Sequence, residues 1–164
     1  YYKYYQSGDS NVIQTEKYFE FELSNCVLSG KYDRIDISED GIIQIIDYKT
    51  GQKKLTKGEA KKNKQLAIYA LYVNQADQQF DHGKAFGKIP EKLTYLFLRH
   101  DEQEVTIKLT KEEMVKHQDK IESIATDIQL SKFEAKTGFH CNQCDYKDLI
   151  CSEWNEDSNN DAIL

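Results

Sequence analysis

Alternating apolar and polar positions divide the chain into short strands and two longer helical stretches. Residues 17–28 alternate Phe19, Phe21 and Leu23 with Glu20 and Glu22, which predicts a strand. Residues 30–38 predict a second. Asp33, Ile35 and Ile37 share one face, and Tyr32, Arg34 and Asp36 share the other, which reads as the polar one. Glu39-Asp40-Gly41 is a hairpin signal. A third strand over 42–49 then sets Ile43, Ile45, Asp47 and Lys49 on one side. Gly51 breaks it, and a lysine-rich loop leads to a helix over 63–76. Leu66, Tyr69, Ala70 and Val73 of that helix recur at the spacing of a buried helical stripe. Residues 77–91 are polar with two glycines and predict a loop. Strands are expected at 93–99, apolar enough to be central, and at 103–109, where Val105, Ile107 and Leu109 alternate with polar residues. Thr110 and Glu113 match a capping box, and the helix after them should bury Met114, Ile121, Ile124, Ala125 and Ile128. The order β-β-β-α-β-β-α, then a Cys-rich segment, predicts an α/β or α+β domain around a mixed β-sheet flanked by helices.

Composition and charge refine this picture. A length of 164 residues suits one domain. No apolar run approaches the ~18–20 residues of a bilayer span. The first ten residues are polar, unlike a secretory signal, so the expected location is cytoplasmic and no membrane partner is expected. A net charge of -6 argues at first against a polyanionic partner, but the charge is uneven. Residues 152–164 carry four acids and no Lys or Arg, and read as a disordered tail to a domain over 1–151. Residues 49–64 hold seven lysines against Glu59 alone. Because screening in physiological salt acts over ~8 Å, such a stripe can meet phosphates whatever the net charge. Lys53, Lys54, Lys57 and Lys61 are the expected DNA contacts, with a solvated loop as the plainer reading. Three of the four cysteines form Cys141-x2-Cys144-x6-Cys151. In a reducing compartment that spacing suggests an iron–sulfur or zinc site, with His140 available to zinc, or a packed terminus without metal. Cys26 stands apart and reads as a small buried hydrophobe.

The candidate chemistry lies in the second and third strands. Asp33 and Asp47 sit on the face that also carries isoleucines, where a carboxylate is costly unless paired or bound to a cation. They are fourteen residues apart across the hairpin, compatible with one site. Lys49, two positions after Asp47, points to the same side. Two carboxylates would hold Mg2+ or Mn2+ through oxygen, and an ammonium would offset charge building on a phosphate, which is what metal-assisted phosphodiester hydrolysis needs. The plainer reading is a surface hairpin with an ion pair. Asp36 is the rival for the first carboxylate, but strand parity sets it on the other face. His82, His100 and His117 show no ligand spacing. Tyr1, Tyr2, Tyr4 and Tyr5 would either stack on single-stranded bases or be chain-end residues without a packing partner.

The segments GKYDRID (30–36), IIDYKTG (45–51) and QLAIYA (65–70) resemble the PD-(D/E)xK nucleases. Specifically, they resemble the RecB-like nuclease domain found at the C-terminus of UvrD-type helicases. The likeness runs from about Tyr18 to Cys151 and implies a restriction-endonuclease-like core. It implies metal binding by Asp33, Asp47 and the backbone carbonyl of Tyr48, with Lys49 assisting the attacking water. Gln65 and Tyr69 match the family's helix motif, one turn apart on a common face. The cysteine spacing resembles the family's C-terminal cluster, which in some members is [4Fe–4S]. Two family features lack a match, an initial helix bearing a His or Glu ligand and an upstream cysteine, so the chain is expected to begin inside the domain, the alternative being natural degeneration of the site. The implied function is Mg2+- or Mn2+-dependent cleavage of DNA, single-stranded in the first instance, beside a helicase in repair or recombination. The alternatives are a non-catalytic DNA-binding or structural module of the same parent and a zinc-binding interaction domain. No Walker A motif occurs, so any ATP-driven unwinding belongs to other sequence.

Overall fold

The computed structural model describes residues 10–76, 87–100, 103–135, 137–147, 149–151 and 153. Tyr1, Tyr2, Tyr4, Tyr5, His82 and the acidic tail beyond Glu153 lie outside the described residues. The chain divides into two compact units, Tyr1–Thr126 and Asp127–Leu164. Strands β1 (Ser10–Glu22), β2 (Val27–Ser38) and β3 (Ile43–Lys49) are followed by helices α1 (Lys57–Lys62) and α2 (Lys64–Gln75). Strands β4 (Lys92–Phe97) and β5 (Gln103–Ile107), helix α3 (Lys111–Gln129) and a 3-10 turn (Phe139–Gln143) complete the order. This is an α+β arrangement, a mixed five-stranded sheet with flanking helices. No helix among the described residues is long and apolar enough to cross a membrane.

The sheet order is β1-β2-β3-β4-β5. Only β3 and β4 pair in parallel, because α1 and α2 carry the chain back across the sheet between them. The expected hairpin joins β2 to β3, with Gly41 at φ 78 in the turn, a left-handed conformation that glycine adopts without Cβ strain. The strand expected at 17–28 instead runs from Ser10 to Glu22, and Cys26 falls in the turn before β2. Edge strand β1 is held by main-chain pairing along nearly all of β2, which a polar stretch such as Asn11–Glu16 can supply without apolar alternation. Two irregularities mark that edge, a register shift between Val12 and Gln14 and Glu16 at φ 52.

Part of the lysine-rich loop is helical. Thr56 and Glu59 form a reciprocal capping box that starts α1, and Asn63 then ends α1 and caps α2 through Gln65 N–H at 2.9 Å. The Thr56 backbone N–H and hydroxyl hold the Glu59 carboxyl down to about 2. Helix α2 buries Leu66, Tyr69, Ala70 and Val73 as expected, together with Ala67, Leu71 and Tyr72. Helix α3 buries Met114 and Ile121, but Ile124 and Ala125 are only half-buried, and Ile128, in its last turn, is 55% exposed. Spacing alone thus does not decide burial along α3.

Both faces of the central sheet are buried. Phe19, Tyr32, Ile35, Ile45, Leu93 and Tyr95 join α2 and α3 side chains in one apolar core. The face read as polar is buried as well. Arg34 and Asp36 are 4% and 1% exposed beside fully buried Ile46, Thr94 and Leu96. The charges survive there because Arg34 Nε and Nη2 donate to Asp36 at 2.6 and 2.5 Å, a bidentate pair that engages both carboxylate oxygens. Tyr32, placed with Arg34 and Asp36 by alternation, instead packs toward α2, fully buried and stacked on Phe19 and on Tyr72 of that helix. Burial on both faces explains why β4 reads as a nearly continuous apolar run.

Phe19 sits at the centre of this packing, 4.8 Å from Tyr72 and 5.7 Å from Tyr69 between ring centroids. Its register partner is Gly30, where a Cβ would lie 2.9 Å from Phe19 Cζ. Any shift of the ring disturbs its contacts with Phe21, Tyr32, Tyr69 and Tyr72. Gly30→Ala should therefore cost about 1–3 kcal/mol by overpacking, read from urea unfolding midpoints. Combining it with Phe19→Leu should make the two changes less costly than their sum.

Candidate active site

The last residue pair of the β2–β3 ladder is Arg34 with Ile46, so Asp33 and Asp47 are the first positions past its end. There the Asp33 side chain takes over from the ladder. Its Oδ2 accepts the Tyr48 backbone N–H at 2.8 Å. One carboxylate is thereby tied to the backbone beside the other. Asp47 is 2% exposed, and its Oδ2 lies 2.6 Å from Lys49 Nζ with no directed hydrogen bond of its own. Burial pushes the Asp47 carboxyl up, nearby Lys49 pulls it partly back, and the negative charge of Asp33 adds to the rise.

Lys49 is held from α2. Its Nζ donates to Gln65 Oε1 at 2.6 Å, Gln65 Nε2 donates to the Tyr69 hydroxyl at 3.1 Å, and that hydroxyl donates to the Lys31 carbonyl at 3.0 Å. This directed chain runs from β3 through α2 to β2, two residues before Asp33. It fixes which way the Gln65 amide faces, because its oxygen must accept from the ammonium. Burial, outweighing the Gln65 bond, raises the Tyr69 hydroxyl, and the charges of Asp47 and Asp33 act in the same direction. Asp33, Asp47, Lys49, Gln65 and Tyr69 therefore form one cluster, as the sequence motifs anticipate.

Tyr95 belongs to the same cluster and carries no sequence signal. It is the register partner of Asp47 across the parallel β3–β4 pair, and Lys49 Nζ lies 5.0 Å from its ring centroid. A cation over an aromatic face is attracted to it. Burial, then the Asp47 charge, pushes the Tyr95 hydroxyl up. Only knowledge of which strand lies beside β3 could have identified it.

The other candidates of the first unit lie outside this cluster. Asp36 is engaged by Arg34. Lys53 pairs with Glu59 at 3.2 Å, Lys54 donates to Gln103, Lys61 pairs with Glu113 at 2.9 Å, and Lys57 is exposed at the start of α1. In the second unit, Cys141 is buried, and Cys144 and Cys151 are half-buried, all as free thiols. Among the described residues, no three His, Cys, Asp or Glu side chains gather into a metal-holding group. Asp33 and Asp47 remain a two-carboxylate set. An oxygen-only pair with one buried, undirected lone-pair site suits a hard cation, since Mg2+ takes one or two carboxylates and completes its shell with water and substrate oxygens.

Over residues 2–151, the sequence matches the model of the PD-(D/E)XK nuclease superfamily. No curated protein matches it. Among solved structures, that of SSO0001 is 21% identical, covers 87% of this chain and 60% of its own, and has a TM-score of 0.41. The chain thus spans about 60% of the length of that solved chain.

The raised Asp47 carboxyl gives a pH-dependent expectation for the metal-free protein. A carboxyl whose folded pKa exceeds its unfolded value favours folding below the unfolded value, near 3.9, and that contribution is lost as pH rises through the folded value. At pH 7 the buried charge therefore opposes folding, and Asp47→Asn should raise Tm by a few degrees. The gain should disappear near pH 4, as thermal unfolding across pH would show.

Proposed function

Because this chain belongs to the PD-(D/E)XK nuclease superfamily, whose members are generally nucleases, we propose that it cleaves DNA phosphodiester bonds with Mg2+ or Mn2+ held by Asp33, Asp47 and the Tyr48 backbone carbonyl. The supporting observation is the meeting of Asp33, Asp47 and Lys49 just past the β2–β3 ladder, with Lys49 oriented by Gln65 and Tyr69. The cation, when bound, polarises the phosphate and activates water. The chain's own groups do the remainder. Asp47 keeps the Lys49 ammonium at the carboxylate cluster, where it can orient the attacking water and offset charge on the phosphate oxygens. Gln65 stops Lys49 from swinging away, and Tyr69 fixes Gln65. Tyr95 walls one side of the ammonium, limiting its access to solvent.

The finer reading assigns single-stranded DNA as substrate, supplied by a helicase motor of the parent protein or complex, in DNA repair or recombination in the cytoplasm. It is supported by the likeness of GKYDRID, IIDYKTG and QLAIYA to RecB-like domains. The exposed Lys53, Lys54, Lys57 and Lys61 follow β3 directly and are assigned to backbone phosphates. The proposed domain extends through Cys151, with residues 152–164 as a tail. Cys141, Cys144 and Cys151 have a spacing suited to an iron–sulfur cluster or zinc, and elemental analysis with visible absorbance of the purified chain would decide between metal and none.

Incubation of the purified chain with end-labelled single- and double-stranded DNA should show cutting that requires Mg2+ or Mn2+. Asp33→Ala, Asp47→Ala and Lys49→Ala should each lower the rate at least ~100-fold. Mn2+ should also raise Tm of the parent but not of Asp47→Ala. DNA binding without cutting, in this chain and in a longer protein that contains it, would replace the catalytic reading with a binding module.

A further inference from the structure

The lysine stripe read from the sequence is divided by the fold. Lys49 enters the active site, while Lys53 and Lys54 are engaged by Glu59 and Gln103. Lys61, Lys62 and Lys64 instead line a cleft of about 390 Å3, which Lys116 and Lys120 of α3 enter from the opposite wall. Lys116 and Lys120 are one helical turn apart and so share a face of α3. Five lysines thus converge from three helices on one concavity, whose only carboxylate among the described residues is Glu113.

Glu113 is already committed. It pairs with Lys61 at 2.9 Å, and His117 Nε2 lies 2.9 Å from the Lys61 carbonyl, so these contacts clamp α1 to α3 and fix the cleft walls. Lys62, Lys64, Lys116 and Lys120 are exposed and have no acidic partner among the described residues. Four unneutralised ammonium groups around one concavity repel one another and favour an anion that spans them. The cleft also lies beside the active site in the chain. Lys64 lines it, and the next residue, Gln65, accepts from Lys49.

We propose that this cleft is a second, non-catalytic phosphate site that takes the backbone of the same nucleic-acid strand whose cleavage is centred on Asp33 and Asp47. The assignment rests on the nuclease reading for its polymer. A strand of linked phosphates can occupy both places at once, whereas a mononucleotide can occupy only one. The site would anchor the strand without contacting the reacting atoms, giving preference for longer substrates.

The test is anisotropy binding of a 20-nucleotide single strand to the full chain in chelator, across salt concentrations. Each lost single-strand phosphate contact lowers the slope of log K against log salt by ~0.7. Lys116→Gln/Lys120→Gln should therefore lower the slope by ~1.4 and weaken binding roughly tenfold at 0.1 M salt. Lys88→Gln/Lys108→Gln, equally exposed but outside the cleft, should change neither. With metal, the cleft variant should raise KM for the 20-mer and leave the rate on a dinucleotide unchanged. An unchanged slope, or equal losses in both variants, would overturn the proposal. Tripolyphosphate binding as tightly as the 20-mer and lost in the cleft variant would also overturn it, in favour of a small polyphosphate. If neither this chain nor a longer protein that contains it cuts DNA while the cleft variant still loses slope, the nuclease reading falls and the anchoring site stands.

Discussion

A carboxylate buried at the end of an interior strand needs a compensating cation, and the arrangement around Asp47 follows from that need. Asp47 is 2% exposed, and desolvation is the largest influence on its carboxyl. Lys49 is the nearest cation because strand alternation returns it to the same side two residues later. It lies 2.6 Å away. That contact alone would leave a flexible side chain bridging to solvent. Gln65 and Tyr69 extend it into a directed hydrogen-bond chain that ends on β2, so the ammonium has one place to be. Asp33 completes the arrangement from the other strand by holding the Tyr48 amide where the ladder stops.

The arrangement leaves a residual cost. Asp47 Oδ2 has an ion-pair neighbour but no directed hydrogen bond, and the negative charge of Asp33 adds to the cost of ionising Asp47. Folded proteins retain such costs mainly at sites where they serve chemistry. The contrast with Arg34 and Asp36 is informative. That pair is equally buried but closed and bidentate, so it leaves nothing for a ligand. Asp36 and Asp47, buried on neighbouring strands, thus differ in what they leave open because of the partner each has. Rigidity comes from the aromatic cluster around Phe19, which packs β1 and β2 against α2 and thereby sets Tyr69 and Gln65 relative to Asp33.

Several elements were legible in the sequence. The hairpin at Glu39–Gly41, the interior β4, the buried stripe of α2 and the face shared by Asp33, Asp47 and Lys49 depend on local periodicity and turn chemistry. Other features were not legible. The polar N-terminal part of β1 forms a strand because β2 pairs with it, and α1 forms because Thr56 and Glu59 cap each other within what reads as a charged loop. Ile128 has the right spacing for burial but is exposed. The face of β2 carrying Arg34 and Asp36 reads as solvent-facing, since alternation gives the two sides of a strand but not what covers each.

The sequence by itself determined the chemistry on offer: two carboxylates and a lysine at strand spacing, a Gln and a Tyr one helical turn apart, and a run of lysines. These depend on repeats of two and 3.6 residues, which are set by backbone geometry and readable in any chain. The tertiary structure decided which of these groups meet. It set Tyr95 beside Asp47 through a parallel pairing made across more than forty intervening residues, and it brought Lys116 and Lys120 to face Lys62 and Lys64. Such contacts join positions with no local relation in the chain, so they arise only when strand order and helix packing are fixed.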